Sequence, residues 1–245
     1  MRRLWSLLAA RVMLALMPGL VPVLAQAAPP VWGGSLGLSS NYLVRGVSRS
    51  SNDPAVAGEV HVQFGGNFFA GIGAISSRVQ PRASTTAELN ATAGFAGALN
   101  EDWAGRLSAT HYETPWSDFA EYYRYDEFSG ELAFRDRWFV SVTWSPNTSL
   151  YAQGYGPVAH RNTMAYETSY RQPLQQGFSL FAGGGYYDLE DLFYEGYWYG
   201  SVGASLIRQR WQFDLSWVMP ESAAQHLSYA GAAEQRLLAS VSRNF

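Results

Sequence analysis

Apolar and polar residues alternate with a period of two along most of this chain. Following odd and even positions separately gives twelve such segments: Trp32 to Val44, Val56 to Phe64, Phe68 to Ser76, Thr85 to Phe95, Trp103 to Tyr112, Asp126 to Phe134, Trp138 to Trp144, Met164 to Tyr170, Phe178 to Tyr186, Trp198 to Leu206, Trp211 to Trp217 and Leu237 to Phe245. Successive side chains of a strand point to opposite faces, so this pattern specifies strands with one apolar and one polar face. In Trp211 to Trp217 the apolar face is Trp211, Phe213, Leu215 and Trp217, with Gln212, Asp214 and Ser216 opposite.

The connections sort by length. Gly65 to Asn67, Gly97 to Asp102, Arg135 to Arg137, Arg171 to Gly177 and Ile207 to Arg210 are short, and most carry the Gly, Asn, Asp or Pro of tight hairpins. They interleave with longer ones: Arg45 to Ala55, Ser77 to Ser84, Glu113 to Tyr125, Ser145 to Thr163, Tyr187 to Tyr197 and Val218 to Arg236. Both chain ends then fall on the short-turn side. That is the arrangement of an all-β, antiparallel up-and-down outer-membrane barrel of twelve strands with periplasmic termini. A secreted sandwich is the alternative, but its Greek-key connections would mix short and long loops at both ends.

A girdle of outward rings should flank the periplasmic turns of such a barrel. The apolar-face residues nearest the short turns are, in order, Trp32, Phe64, Phe68, Phe95, Trp103, Phe134, Trp138, Tyr170, Phe178, Leu206, Trp211 and Phe245, so eleven of the twelve are aromatic. Tyr42, Phe128, Trp144, Tyr186, Trp198 and Trp217 supply a less complete belt at the other rim. Phe245 also ends the chain on the apolar face of the last strand, which resembles the signal that bacterial barrel-assembly machinery reads on its clients. Arg243 interrupts that face, tolerably so near an interface, where an outward Arg costs only about 0–1 kcal/mol.

Composition agrees with a lipid-facing surface. Only 15% of residues are charged, against roughly 25% in ordinary soluble domains. There is no Cys and no Lys, which excludes disulfides, thiol nucleophiles and Cys-ligated metals. The net charge of -3 has the wrong sign for a nucleic-acid binder. Met1 to Ala27 carries Arg2, Arg3 and Arg11, an apolar stretch from Val12 to Leu24, and Ala25-Gln26-Ala27, and reads as a cleaved secretory signal peptide. An uncleaved anchor is the alternative, but Pro18 and Pro22 interrupt a stretch already too short to span. Cleavage leaves residues 28–245 as one barrel domain with 14 Arg against 20 acids, a net charge of -6.

The polar face should line the lumen. It carries Glu59, His61, Glu88, Arg106, Glu127, Glu131, Glu167 and Asp214, with Arg171 and Arg236 expected towards the turn side. Twelve strands lie between the filled eight-stranded barrel and the open sixteen-stranded channel, which implies a narrow lumen. The expectation is a porin-like channel for small polar solutes with a mild cation preference. The alternative is a structural or lipid-interacting barrel whose lumenal charges pair and plug it. Outer-membrane lipids and lipopolysaccharide are the expected surroundings.

Ser40-Asn41-Tyr42-Leu43-Val44-Arg45-Gly46-Val47-Ser48, followed by Ser51-Asn52-Asp53-Pro54-Ala55-Val56, resembles the opening hairpin of the TorF-type family of proteobacterial outer-membrane porins. Trp138 to Asn147 and Gly183-Gly184-Gly185-Tyr186-Tyr187-Asp188 look like later strands of that family. The resemblance implies architecture and location, and no catalytic residues come with it. Within the motif, Arg45 and Asp53 are expected to pair and close the hairpin, and Pro54 suits a strand start.

Some twelve-stranded outer-membrane barrels are phospholipases with a His-x-Ser arrangement, and His226-Leu227-Ser228 has that spacing. It falls in a loop, and no third residue can be assigned to orient the imidazole. His61, His111 and His160 lie on separate segments without metal-ligand spacing, so neither a metal nor another cofactor is expected. Gly183 to Gly185 reads as room for a barrel bend.

Overall fold

The computed structural model describes residues 29–78, 83–117, 120, 123–148, 151–152, 156–157 and 160–245. The expected signal peptide, 1–27, lies outside them. Twelve strands close into one antiparallel barrel. They are β1 (Val31–Ser39), β4 (Ala55–Gln63), β5 (Phe68–Ser77), β6 (Thr86–Ala98), β7 (Trp103–Glu113), β8 (Tyr125–Phe134), β9 (Trp138–Thr148), β12 (Arg161–Pro173), β13 (Phe178–Asp188), β14 (Tyr197–Arg208), β15 (Trp211–Pro220) and β16 (Arg236–Asn244). Each pairs with its sequence neighbours in the barrel, and β1 pairs with β16 to close it. Two small hairpins, β2 (Leu43–Val44) with β3 (Val47–Ser48) and β10 (Tyr151–Ala152) with β11 (Gly156–Pro157), and two short helices, α1 (Glu190–Phe193) and α2 (Ser222–His226), belong to the long connections.

Turn chemistry explains the short side. Arg135 and Asp136 both have positive φ, the conformation of a type I′ turn, and Arg135 is steadied by Asp102 at 2.8 Å. Asn100 Oδ1 accepts from the Asp102 and Trp103 amides, both at 2.9 Å, fixing the β6–β7 turn. At the seam, the Phe245 amide donates to Gly34 O at 3.0 Å, and the Phe245 ring lies so close to Gly34 that a Cβ there would come within 2.6 Å of it. Both terminal strands are thereby sealed by the last residue. No described helix is long and apolar enough to cross a membrane.

The first segment departs from the expectation. The alternation predicts one strand from Trp32 to Val44, but β1 stops at Ser39 and Leu43–Val44 belongs to the separate β2–β3 hairpin. The cause is local. Ser48 Oγ and Ser50 Oγ both donate to Asn41 Oδ1, at 2.7 and 2.9 Å, and Arg45 and Gly46 take positive φ to make the turn between β2 and β3. This first loop turns into the barrel. Tyr42, expected on the outer belt, is therefore buried inside.

The eleven girdle rings all sit on the outer face near the short turns. Cross-strand neighbours pack edge-to-face or tilted, with centroids 5.5 Å apart for Phe68 and Phe95, 4.9 Å for Trp103 and Phe134, and 4.6 Å for Trp138 and Tyr170.

Candidate functional site

The inner parity of the strands carries the polar residues, and the first loop supplies the rest. On the long-loop half of the lumen, Arg49 Nη1 donates to Glu88 Oε2 at 2.8 Å, and the Tyr42 hydroxyl donates to Glu88 Oε1 at 2.5 Å. Glu88 is 0% exposed. Arg45 Nη2 pairs with Glu127 Oε1 at 2.8 Å, and its guanidinium lies 4.5 Å from the centre of the Tyr187 ring. A buried carboxylate needs such partners, because its desolvation is offset only by close, hydrogen-bonded charge. Burial opposes charge on Arg45, but Glu127, then Tyr187 and Glu167, outweigh it and hold its pKa well above the usual arginine value. Burial, and next the Glu88 charge, push the Tyr42 hydroxyl up, so it remains a donor.

These pairings correct the motif reading. Arg45 does not pair with Asp53; it reaches into the lumen, and Asp53 instead binds Arg78 at 2.6 Å on the rim. The reason is geometric, since the Arg45–Gly46 turn sits at the inward tip of the hairpin while Asn52, Asp53 and Pro54 stay at its base. Asn52 receives a hydrogen bond from Arg236 and donates to Gly231 O at 3.1 Å. Arg236, expected towards the turn side, thus sits at the opposite, long-loop rim, where β16 begins. Gly46 has φ +82°, and a Cβ there would meet Pro220 at 3.1 Å and Tyr199 at 3.2 Å, so the tip packs directly against β15 and β14.

Tyrosines that sequence reading left out complete this half: Tyr112, Tyr125, Tyr187 and Tyr197 are buried, and Tyr199 donates to Glu167. Their signal was present, because Tyr112 shares the parity of Arg106 and Tyr125 that of Glu127. Arg49 had none, since loops carry no period. At Gly185 a Cβ would lie 2.7 Å from Glu167 Cγ and 2.8 Å from the Tyr199 hydroxyl, so this glycine makes room for that hydrogen bond. Above the hairpin, Leu189, Leu192 and Phe193 around α1 pack with Ala224, Leu227 and Ala233 around α2 into an apolar cap.

The short-turn half is more open. Arg106 faces its register partner Glu131 and lies 4.8 Å from the centre of the Phe69 ring. Arg171 Nε donates to Ser179 Oγ at 2.9 Å, and Gln212 Nε2 donates to Asp214 at 2.9 Å. Glu59 and His61 neighbour each other at 3.8 Å. Of the other histidines, His111 meets Asp126 at 2.7 Å on the outer face, and His160 meets Asn147 O at 2.8 Å. Among the described residues no group of His, Asp and Glu could hold a metal ion. Ser228 Oγ donates to Ala224 O at 2.7 Å, so the His226-Leu227-Ser228 triplet uses its hydroxyl to tie down the end of α2.

Across both halves, the hydroxyls of Ser108, Ser129, Thr143 and Ser145, with Arg45 Nε, Arg106 Nε and Glu167 Oε2, are buried without a hydrogen-bond partner among the described residues.

A closed twelve-stranded barrel with an apolar outside and a charged, aromatic-lined inside has the fold of outer-membrane β-barrels. The chain belongs to the family described as "Bacterial protein of unknown function (Gcw_chp)", whose profile matches residues 25–245. The TorF-type resemblance is a finer statement than that match. No curated protein matches. Among solved structures, it is similar to the KdgM porin in complex with disordered oligogalacturonate, at 9% identity and a TM-score of 0.51, covering 88% of this chain and 99% of that one. It is similar to the NanC porin at 8% identity and 0.53, covering 87% and 98%. The COG4313 outer membrane channel from Pseudomonas putida F1 matches at 13% identity and 0.53, covering 92% and 100%.

Proposed function

We propose that this protein is an outer-membrane channel of the porin type for small polar solutes, narrowed on its extracellular side by its own first loop. The observation that carries this reading is the pair of buried ion pairs, Arg45 with Glu127 and Arg49 with Glu88, by which a loop is held across an otherwise polar lumen. A barrel with only a structural task has no need of a charged lumen, since an apolar filling is commonly as stable. The fold shared with the KdgM and NanC porins supports the same reading. Export by Met1 to Ala27, hand-over to the barrel-assembly machinery through Phe245, and lipopolysaccharide around the outer rim complete it.

The charge preference is weak and of cationic sign. Inside the barrel, Glu59, Glu88, Glu127, Glu131, Glu167 and Asp214 face Arg45, Arg49, Arg106 and Arg171, six acids against four Arg. The first loop contributes two of those Arg, so it narrows the preference as well as the bore. A second reading, a closed barrel acting structurally or on lipids, draws on the apolar cap around α1 and α2. Single-channel recording separates them. The channel reading expects a small conductance that rises when the hairpin tip, residues 43–48, is replaced by a short Gly-Ser link, with a reversal potential on the cation side. Absence of current in both correctly folded forms leaves only the second reading.

A further inference from the structure

We infer that the lumen wall made by β7, β8 and β9 is a subsite for a small uncharged polyhydroxylated solute, a sugar or polyol. This names the solute class for the channel reading above and rests on it. Ser108 and Ser129 are register partners, and so are Ser129 and Thr143, so the three hydroxyls form a continuous row across three strands. Directly opposed strand residues lie about 5 Å apart, close to the spacing of hydroxyls across a sugar ring. The three residues are 2%, 0% and 2% exposed, and none of the hydroxyls has a partner among the described residues.

Ser145, two residues on from Thr143, extends the unpartnered set, whereas two pairs of threonines on the inner face satisfy each other. Thr92 and Thr110 bond each other at 2.9 Å, and Thr148 and Thr163 at 2.8 Å. The row between them is left with its donors and acceptors unused, and a hydroxyl is both. A ligand that also donates and accepts at every position matches it. The flanking charges are of both signs: Arg106 and Glu131 are register partners on the adjacent row, Glu167 closes that row on β12, and Arg45 approaches from the loop. A neutral solute suits this mixture of signs.

Arg45 also controls access. Its guanidinium reaches from Glu127 on β8 to the Tyr187 ring on β13, across β9 and β12, so a solute enters as Arg45 is displaced.

The test is calorimetric titration of the refolded, full-length barrel with sorbitol, and with glycine as a zwitterionic probe, folding being checked by far-UV circular dichroism. Sorbitol should bind saturably, and more tightly to Arg45→Ala. Ser129→Ala combined with Thr143→Val should weaken binding at least about fivefold, the effect of losing two ordinary hydrogen bonds. Ser240→Ala, on the diametrically opposite β16, should bind as the parent does. Binding of glycine but not sorbitol, or sorbitol binding that the double variant leaves unchanged, overturns the inference. Current without sorbitol binding sinks the subsite and leaves the channel; binding without current does the reverse.

Discussion

The two faces of β9 show how differently the same strand is used. Outward it presents Trp138, Val140, Val142 and Trp144, all exposed. Inward it presents Ser141, Thr143 and Ser145, all buried. The outer residues face a uniform apolar medium, where what matters is the absence of charge and the presence of rings near the rims. The inner residues face the lumen, where a loop distant in sequence is held by ion pairs to other strands, so identity and partner both matter. Outer-face changes should therefore grade with polarity and depth, whereas inner-face changes should depend on which partner is left alone.

Three variants test that contrast, in decreasing order of effect. Glu88→Ala strands Arg49 in a buried site and removes the acceptor of Tyr42, so unfolding in urea from lipid vesicles should require about 3–5 kcal/mol less; a loss below 1 kcal/mol would mean the inner face is as generic as the outer. Val140→Arg places a charge on the lipid side mid-strand, and should destabilise by about 2–4 kcal/mol in the same assay. If it were neutral, that face would not be in lipid. Arg243→Leu is expected to shift stability by less than about 1 kcal/mol, since the small interfacial penalty of an outward Arg is balanced by the Trp211 ring 5.7 Å from its guanidinium. A large gain in stability would show that the Phe245 rim lies deeper in the membrane than its ring implies.

Much of the site was legible from parity alone. Glu59, Glu88, Arg106, Glu127, Glu131, Glu167, Arg171 and Asp214 all lie on the inner face, because a strand in regular pairing cannot change the side to which a residue points. The failures share one origin. Tyr42, Arg45 and Arg236 lie elsewhere than the pattern predicts because each sits in or beside a long connection, where periodicity ends. Asp53 is close to Arg45 in sequence, but Glu127, 82 positions away, is its partner in space. The unpartnered row of Ser108, Ser129 and Thr143 could not be foreseen either, since it depends on register between three strands.

The sequence by itself determined the barrel: a strict period of two, interleaved turn lengths and rings beside the turns leave one closed arrangement in which every outward residue can face lipid. Only the tertiary structure decided what fills the barrel. Strand pairing is written locally, residue by residue, in propensity and pattern. The loop's destination is set by complementarity between an Arg-bearing turn and carboxylates on distant strands, a relation that exists only once the wall has closed around it.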